Sequence, residues 1–448
     1  MPSPPSLTTF QNLRFARQLL RDPRRPIEEC TARFGPIWQS MVPGGRGLKL
    51  VPLVWLMDRA GNERVLSPKH KDDFSWYEGY GFTMEPLFGR DILFLLDDEA
   101  ENGGDRHRQR QHLIAPAFHP RLDPDYQGAM ASIVEQHLDA LPLDAPIDVQ
   151  WVVKKLTFHI IARLLIGARE ADLLELTHLF EQVGLGLFSL VHLPIPGLPF
   201  HRAQKARAAL DQYLGQQLAA CRRGEQTPPP MLASLMTAQQ SEPAITDQTI
   251  ISELISFLYA GYDTTSSLLT SLIVALGDTA NRAVYTELRD RLRATSATDP
   301  NGTDCPYLDA VMMESERLYP PLLFAMRGVR RDFTFAGCDI KQGSKVTYSP
   351  YHTGRLPELY PEPLRFNPQR FLDEQGALRR VPPYTLLGFG GGHRMCIGKR
   401  LAGIEMRLFV SRLLRRFDLQ FFPQKSDALY FNPALQRRHG YHVRLAAA

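Results

Sequence analysis

The sequence predicts a mainly α protein with small β-sheets, built as one large domain over residues 1–448. Three observations carry this. Apolar residues recur at helical spacing through most of the chain, strand-like alternation is confined to a few short stretches, and neither a repeat nor a clear linker divides the sequence. With 448 residues and ordinary apolar and charged fractions, there is ample chain to bury a large core.

Taken in order, the N-terminal MPSPPSLTTFQNLRFARQLLRDPRRP holds no run of about 18 apolar residues, so neither a signal peptide nor a transmembrane anchor is expected. KLVPLVWLM reads as a strand, and DRHRQRQHLIAPAFHP as a basic helix. VGLGLFSLVHLPIPGLPF, Val183 to Phe200, is uncharged but broken by Gly184, Gly186, Pro194, Pro196 and Pro199, so it cannot span a membrane as one helix. It reads either as a buried helix end and loop or as an apolar lip over a substrate entrance that touches a membrane surface. Pro228-Pro229-Pro230 closes one helical region and MLASLMTAQQ opens the next, before a turn at Ser241-Glu242-Pro243. The longest periodic segment begins near Thr246, an N-cap residue type, and runs past Leu276. That is about 30 residues, or roughly 45 Å of helix. FTFAGCDI, KVTYSP and YHVRL are the remaining strand candidates.

Formal net charge is only +4, with no zinc-finger spacing, RNA-binding signature or basic arm, so nucleic acid is not an expected partner. Five scattered cysteines, Cys30, Cys221, Cys305, Cys338 and Cys396, do not form a disulfide framework, which fits a reducing cytoplasm.

Three segments carry chemistry. In FGGGHRMCIG, Phe389 to Gly398, the glycines Gly390, Gly391 and Gly392 allow positive φ and close approach to a large planar ligand. Gly398 leaves the space beside Cys396 clear. Turn amides and Arg394 would favour a thiolate at Cys396, which could then ligate haem iron. A lone cysteine is more often a small core hydrophobe. What tips the reading is the joint pattern F-x-x-G-x-R-x-C-x-G, met by Phe389, Gly392, Arg394, Cys396 and Gly398.

In LYAGYDTTSS, Leu258 to Ser267, a glycine and a polar triplet interrupt an apolar helix. Glycine costs a helix about 1 kcal/mol relative to alanine. A threonine there can bond back to the carbonyl one turn earlier, and the small Ala260-Gly261 pair leaves room for a ligand or water and for a local kink. In ESERLYPP, Glu314 and Arg317 stand three apart on one helix face and can pair; FNPQRF offers Arg370 as a third member.

Over nearly its whole length the chain resembles the cytochrome P450 family. The cysteine segment is similar to that family's haem-binding loop, A-G-x-D-T-T to its oxygen-binding helix, and ESER with the downstream arginine to its ExxR motif. The resemblance implies haem b (iron protoporphyrin IX) buried between the long helix and the cysteine loop, with Cys396 as the metal ligand. It implies that Thr264 hydrogen-bonds dioxygen and that Asp263 links the site to solvent protons. Glu314, Arg317 and Arg370 would hold the scaffold and take no part in the chemistry. Haem propionates would meet Arg394, Arg327 after the ExxR helix and His107, where aligning PAF places the family's usual Trp or His. Four residues on, Gln111 replaces the family's basic residue, and Arg106, Arg110 and His112 lie near enough in sequence to substitute.

By the same resemblance, pocket candidates are Phe82, Met84, Leu87, Phe94, Phe257, Ala260, Phe324 and Ala325. All are apolar, so a hydrophobic substrate such as a fatty acid, terpenoid or steroid is expected. The chain has no flavin or iron–sulfur domain and no G-x-G-x-x-G fingerprint, which implies electrons from a ferredoxin or flavodoxin with its reductase. Arg106, Arg108, Arg110, Lys399, Arg400 and Arg407 would form the positive patch that receives it. The expected activity is monooxygenation with O2 by a soluble, bacterial-type monomer. A peroxygenase or isomerase, which need no protons at dioxygen, and a haem-thiolate sensor are the other readings.

Overall fold

The computed structural model describes residues 1–448 except 20, 45–49, 98–104, 119–123, 144, 188, 190–191, 243, 296–298, 300, 427 and 432–433, and except the side chains of 124–126. Pro243 of the expected turn, Lys49 of the first expected strand and part of the 183–200 stretch therefore lie outside the described residues.

The organising element is the helix Asp247–Gly277, a continuous α-helix through the A-G-x-D-T-T segment. Its start is set as the sequence predicts: Thr246 has extended backbone, and its hydroxyl accepts the Thr249 N–H at 3.1 Å. Most of its residues are buried. That is why its pattern is apolar on nearly every face, because a helix with no solvent side must satisfy packing all round. It packs on Val149–Ile166, Pro199–Arg222 and Pro306–Leu318. One continuous apolar core draws on residues from Leu87 to Leu445, as expected of a single domain.

The four expected strand regions are strands: Leu50–Leu56, Phe333–Phe335 with Cys338–Ile340, Lys345–Tyr348, and His442–Ala447. The main sheet runs in the order Ile37–Pro43, Leu50–Leu56, Lys345–Tyr348, Ala325–Val329, Phe74–Ser75. Its first pair is antiparallel, with Trp38 opposite Trp55 and the two rings stacked at 4.8 Å. A second sheet pairs His442–Ala447 with Phe417–Phe421 and Ile147–Asp148. A hairpin, Leu429–Phe431 with Leu435–Arg437, reaches back to the central helix, where Ser267 donates to Leu435 O at 2.6 Å.

Helices Leu173–Leu187 and Pro199–Arg222 flank the apolar stretch 183–200. Its helical end is buried at Val183, Gly184, Gly186 and Leu187, while Leu193 and Ile195 beyond it are each 50% exposed. Its described residues are thus a buried helix end and, from His192 on, an apolar loop at the surface.

Candidate active site

The cysteine loop is shaped by its own backbone. Gly390 N–H donates to Leu387 O at 2.9 Å, and Cys396 N–H closes the turn on Phe389 O at 2.9 Å. Gly390 and Gly392 have φ of +71° and +64°, which L-residues rarely adopt. Gly391 is extended, at φ −168°, so positive φ is needed at two of the three glycines only. A Cβ on Gly392 would strike Leu66 O; backbone packing, in addition to any ligand, demands glycine there. A Cβ on Gly398 would stand 3.8 Å from Cys396 Sγ.

Cys396 opens onto a cavity of about 1660 Å³, lined also by Phe389, Gly392, Gln111, Met312 and Leu268. Burial pushes the thiol pKa up, while the Gly398 and Lys399 N–H groups and the Lys399 charge oppose the shift. Among cations, the Lys399 charge contributes to that opposition. Arg394 donates to Leu96 O at 2.7 Å and lies 5.6 Å from the Trp76 ring. A bound metal cation would remove the thiol proton outright.

The central helix reaches this cavity at Leu268, one turn beyond Thr264 and on the same face. Thr264 Oγ1 donates to Ala260 O at 2.6 Å, the back-bond its sequence context predicts. Asp263 is buried and accepts from Gln436 Nε2 at 2.5 Å, with Lys154 Nζ at 3.6 Å. Burial is the largest influence on its carboxyl and raises the pKa; the Lys154 charge opposes it. Gln436 in turn accepts from the Tyr430 hydroxyl at 2.7 Å. Nothing in the local sequence links Lys154, Tyr430 or Gln436 to Asp263; the hairpin and the neighbouring helix bring them there.

Beneath the loop, Glu314 and Arg317 form a fully buried bidentate pair, Nε to Oε2 and Nη2 to Oε1 both at 2.7 Å. Arg370 Nε adds a bond to Glu314 at 3.1 Å and the Asn367 N–H another at 2.6 Å. Arg317 also donates to the carbonyls of Gly354, Pro363 and Arg365. All three residues meet as the spacing suggested, with burial that an i,i+3 pair alone does not reveal.

Arg327 is buried with its guanidinium 3.6 Å from the centre of the Trp76 ring. His107 is buried; desolvation first, then the Arg394 charge, lowers its pKa to about 3, so the ring is neutral. Arg110 is withdrawn from both roles expected of it: it is fully buried and bound to Glu253 and Glu242, each at 3.1 Å. Arg106 pairs with Asp91 at 2.7 Å, and His112 and Gln111 line the cavity. Of the anticipated positive patch, Arg108, Lys399 and Arg400 are exposed, and Arg407 is tied to Asp309 at 2.5 Å.

Sequence reasoning missed Trp76, the N-terminal residue of the helix Trp76–Phe88. Its indole Nε1 is buried with no hydrogen-bond partner although the ring lies between Arg327 and Arg394. A buried donor without an acceptor costs about 1–3 kcal/mol. An orphan N–H beside two guanidiniums suits an anionic group such as a carboxylate, so these residues fit a haem whose propionates end here.

None of the eight expected pocket residues lines the cavity at Cys396. Leu87 and Phe257 are core residues, the latter edge-on to Phe118 at 5.3 Å, and Phe324 packs on Trp55 and Phe431. Phe82 stacks on His192 at 5.2 Å, below the exposed apolar loop.

A cysteine loop that opens on a large cavity, and a buried arginine beside an unpartnered indole N–H elsewhere in the fold, fit a haem-thiolate protein. A model of the family "Cytochrome P450" matches residues 1–443, and the chain belongs to that family. Putative cytochrome P450 120 of Synechocystis is 29% identical over 92% of this chain and 90% of its own. Taxane 13-alpha-hydroxylase of Taxus cuspidata is 29% identical over 91% of this chain and 83% of its own. Cyclooctat-9-en-7-ol 5-monooxygenase of Streptomyces melanosporofaciens is also 29% identical, over 76% and 77%. Among solved structures, retinoic acid-bound cyanobacterial CYP120A1 superposes with a TM-score of 0.84, at 27% identity and full coverage of both chains. The protein is thus a haem-thiolate monooxygenase, an oxidoreductase that uses O2. Among the described residues, no helix is long and apolar enough to cross a membrane.

Proposed function

We propose that this protein, acting as one unit over residues 1–448, inserts one oxygen atom of O2 into a terpenoid-like hydrophobic substrate. Cys396 is the metal ligand of haem b. The observation that carries this reading is the sulfur of Cys396 opening on a cavity that the central helix enters one turn from Thr264. When bound, haem supplies dioxygen activation and one-electron chemistry.

This chain's own residues hold the group and manage protons. Arg327, Arg394, Trp76 and His107 receive the propionates, with Gln111 at the cavity edge. Phe389, Gly392 and Gly398 shape the loop. Thr264 donates to Ala260 O, so its oxygen remains able to accept, and it must release that carbonyl to donate. Asp263 stores or passes a proton at its carboxyl; Lys154, only partly buried, is its link outward. This network favours the monooxygenase over a peroxygenase, isomerase or sensor, none of which needs protons delivered to dioxygen.

Relatives named for taxane and cyclooctatenol oxidation, and a structural neighbour bound to retinoic acid, support an isoprenoid-type substrate. Electrons come from a separate ferredoxin or flavodoxin with its reductase, docking at Arg108, Lys399 and Arg400, in the cytoplasm and with the protein as a monomer. The test is a spectral titration of the haem-loaded protein with diterpenoids, retinoids, steroids and fatty acids. Isoprenoids should bind and shift the haem absorption band. A shift with fatty acids alone would overturn the substrate class.

A further inference from the structure

Glu316 lies inside the E-S-E-R motif but belongs to neither of its paired positions, and the clamp makes no use of it. It is only 4% exposed. Burial raises its carboxyl pKa to about 7, opposed by the Lys399 charge and by the backbone N–H groups of Phe389 and Gly388, where the cysteine loop begins. Gly388 has no room for a side chain because a Cβ there would fall on Glu316 Cγ. The loop is therefore built around this carboxyl. Its other oxygen, Oε1, is buried without a partner, and the residue lines the cavity onto which Cys396 opens. Lys399 lies 5.6 Å from the Phe389 ring, and its charge also acts on the carboxylate. Glu316 and Lys399 act on the Cys396 thiol with opposite sign.

A purely structural role has simpler solutions. Two loop amides could be met by a neutral side chain or a carbonyl, without placing a carboxylate in a low-dielectric site. What a carboxylate adds is negative potential on the thiolate side of the metal.

We propose that Glu316 is a positioning residue for the thiolate: it pins the loop through the amides of Gly388 and Phe389 and, balanced by Lys399, sets the field that governs the cofactor's reduction potential. The inference rests on Cys396 being the metal ligand. Negative charge close to the iron favours the more positive ferric state, so Glu316 holds the potential down and Lys399 raises it. Residues at this depth tune electron arrival without touching substrate.

The test is the equilibrium reduction potential of the haem-loaded protein without any redox partner. It is read at about pH 8, above the value of about 7 to which burial pushes the Glu316 carboxyl. Glu316→Gln keeps an oxygen for the amides and removes the charge, and should move the potential to a more positive value with the ferrous CO band unchanged. Lys399→Met should move it the opposite way. Glu316→Leu, which loses the amide bonds too, should shift part of the ferrous CO spectrum to the form lacking a thiolate ligand. Wild-type potentials in both charge variants would overturn the proposal, as would a lower melting temperature of Glu316→Leu with potential and spectrum intact. If instead the wild-type protein shows no red-shifted ferrous CO band, it is the Cys396 assignment that fails.

Discussion

Arg317 offers the most quantitative test of the scaffold beneath the loop. Arg317→Met keeps an apolar stem in the same space and removes the guanidinium. Two charge-assisted bonds at 2.7 Å to Glu314 are lost, and Glu314 remains fully buried with only the Asn367 N–H at 2.6 Å and Arg370 Nε at 3.1 Å. Breaking a buried ion pair from one side costs about 3–5 kcal/mol, and the two remaining donors place this case near the lower end, about 3 kcal/mol. The carbonyls of Gly354 and Pro363 also lose their arginine donor. Together they add about 1 kcal/mol, for a total of about 4 kcal/mol. Against a typical folding stability of about 5–15 kcal/mol, that is a large fraction. Guanidinium unfolding followed by circular dichroism should show the midpoint falling accordingly. Glu314→Leu combined with Arg317→Leu should cost less than the sum of the single changes, because no charge is then stranded. A loss below about 1 kcal/mol in Arg317→Met would refute the buried-clamp argument.

Thr264→Ala should leave substrate binding intact while reductant use runs ahead of product and peroxide is released; unchanged coupling would defeat the proton-handling role. Trp76→Phe should preserve the fold but speed loss of haem to an apomyoglobin trap, and an unaltered rate would remove the indole from the propionate site. His137 and His159 meet ring to ring at 2.9 Å, and burial lowers both pKa values to about 4. Both rings are thus neutral when folded, and between pH 4 and about 6.5 the unfolded chain binds more protons. Stability should be complete above about pH 6.5 and fall by about 1–2 kcal/mol towards pH 4, after allowing for solvent screening. His137→Phe should flatten that part of the urea midpoint's pH profile; an unchanged profile would mean that the pair is not responsible.

The sequence was most legible where one segment carried its own geometry. Thr246 begins the long helix because capping is local, Thr264 bonds back one turn as its helical context requires, and Glu314, Arg317 and Arg370 converge as their motifs imply. It was least legible where partners come from far along the chain. Arg110 looked like a surface cation because its acceptors, Glu242 and Glu253, lie 132 and 143 residues away. Trp76 carried no signal in its local sequence, since only the fold brings Arg327 and Arg394 to its ring. The strands Ala325–Val329 and Phe417–Phe421 are short and complete sheets whose other members are distant in sequence, so alternation alone could not declare them. Arg394 matched its motif, but its contacts with Leu96 O and the Trp76 ring come from parts of the chain about 300 residues away that the motif does not name.

The claim on which the rest depends is that Cys396 ligates haem as a thiolate, and the ferrous CO absorption spectrum reads that ligand directly. The haem-loaded wild-type protein should give the strongly red-shifted Soret band of a thiolate-bound ferrous CO complex, and Cys396→His should bind haem without that band. Retention of the band in Cys396→His, or its absence from the intact wild-type protein, would contradict the account.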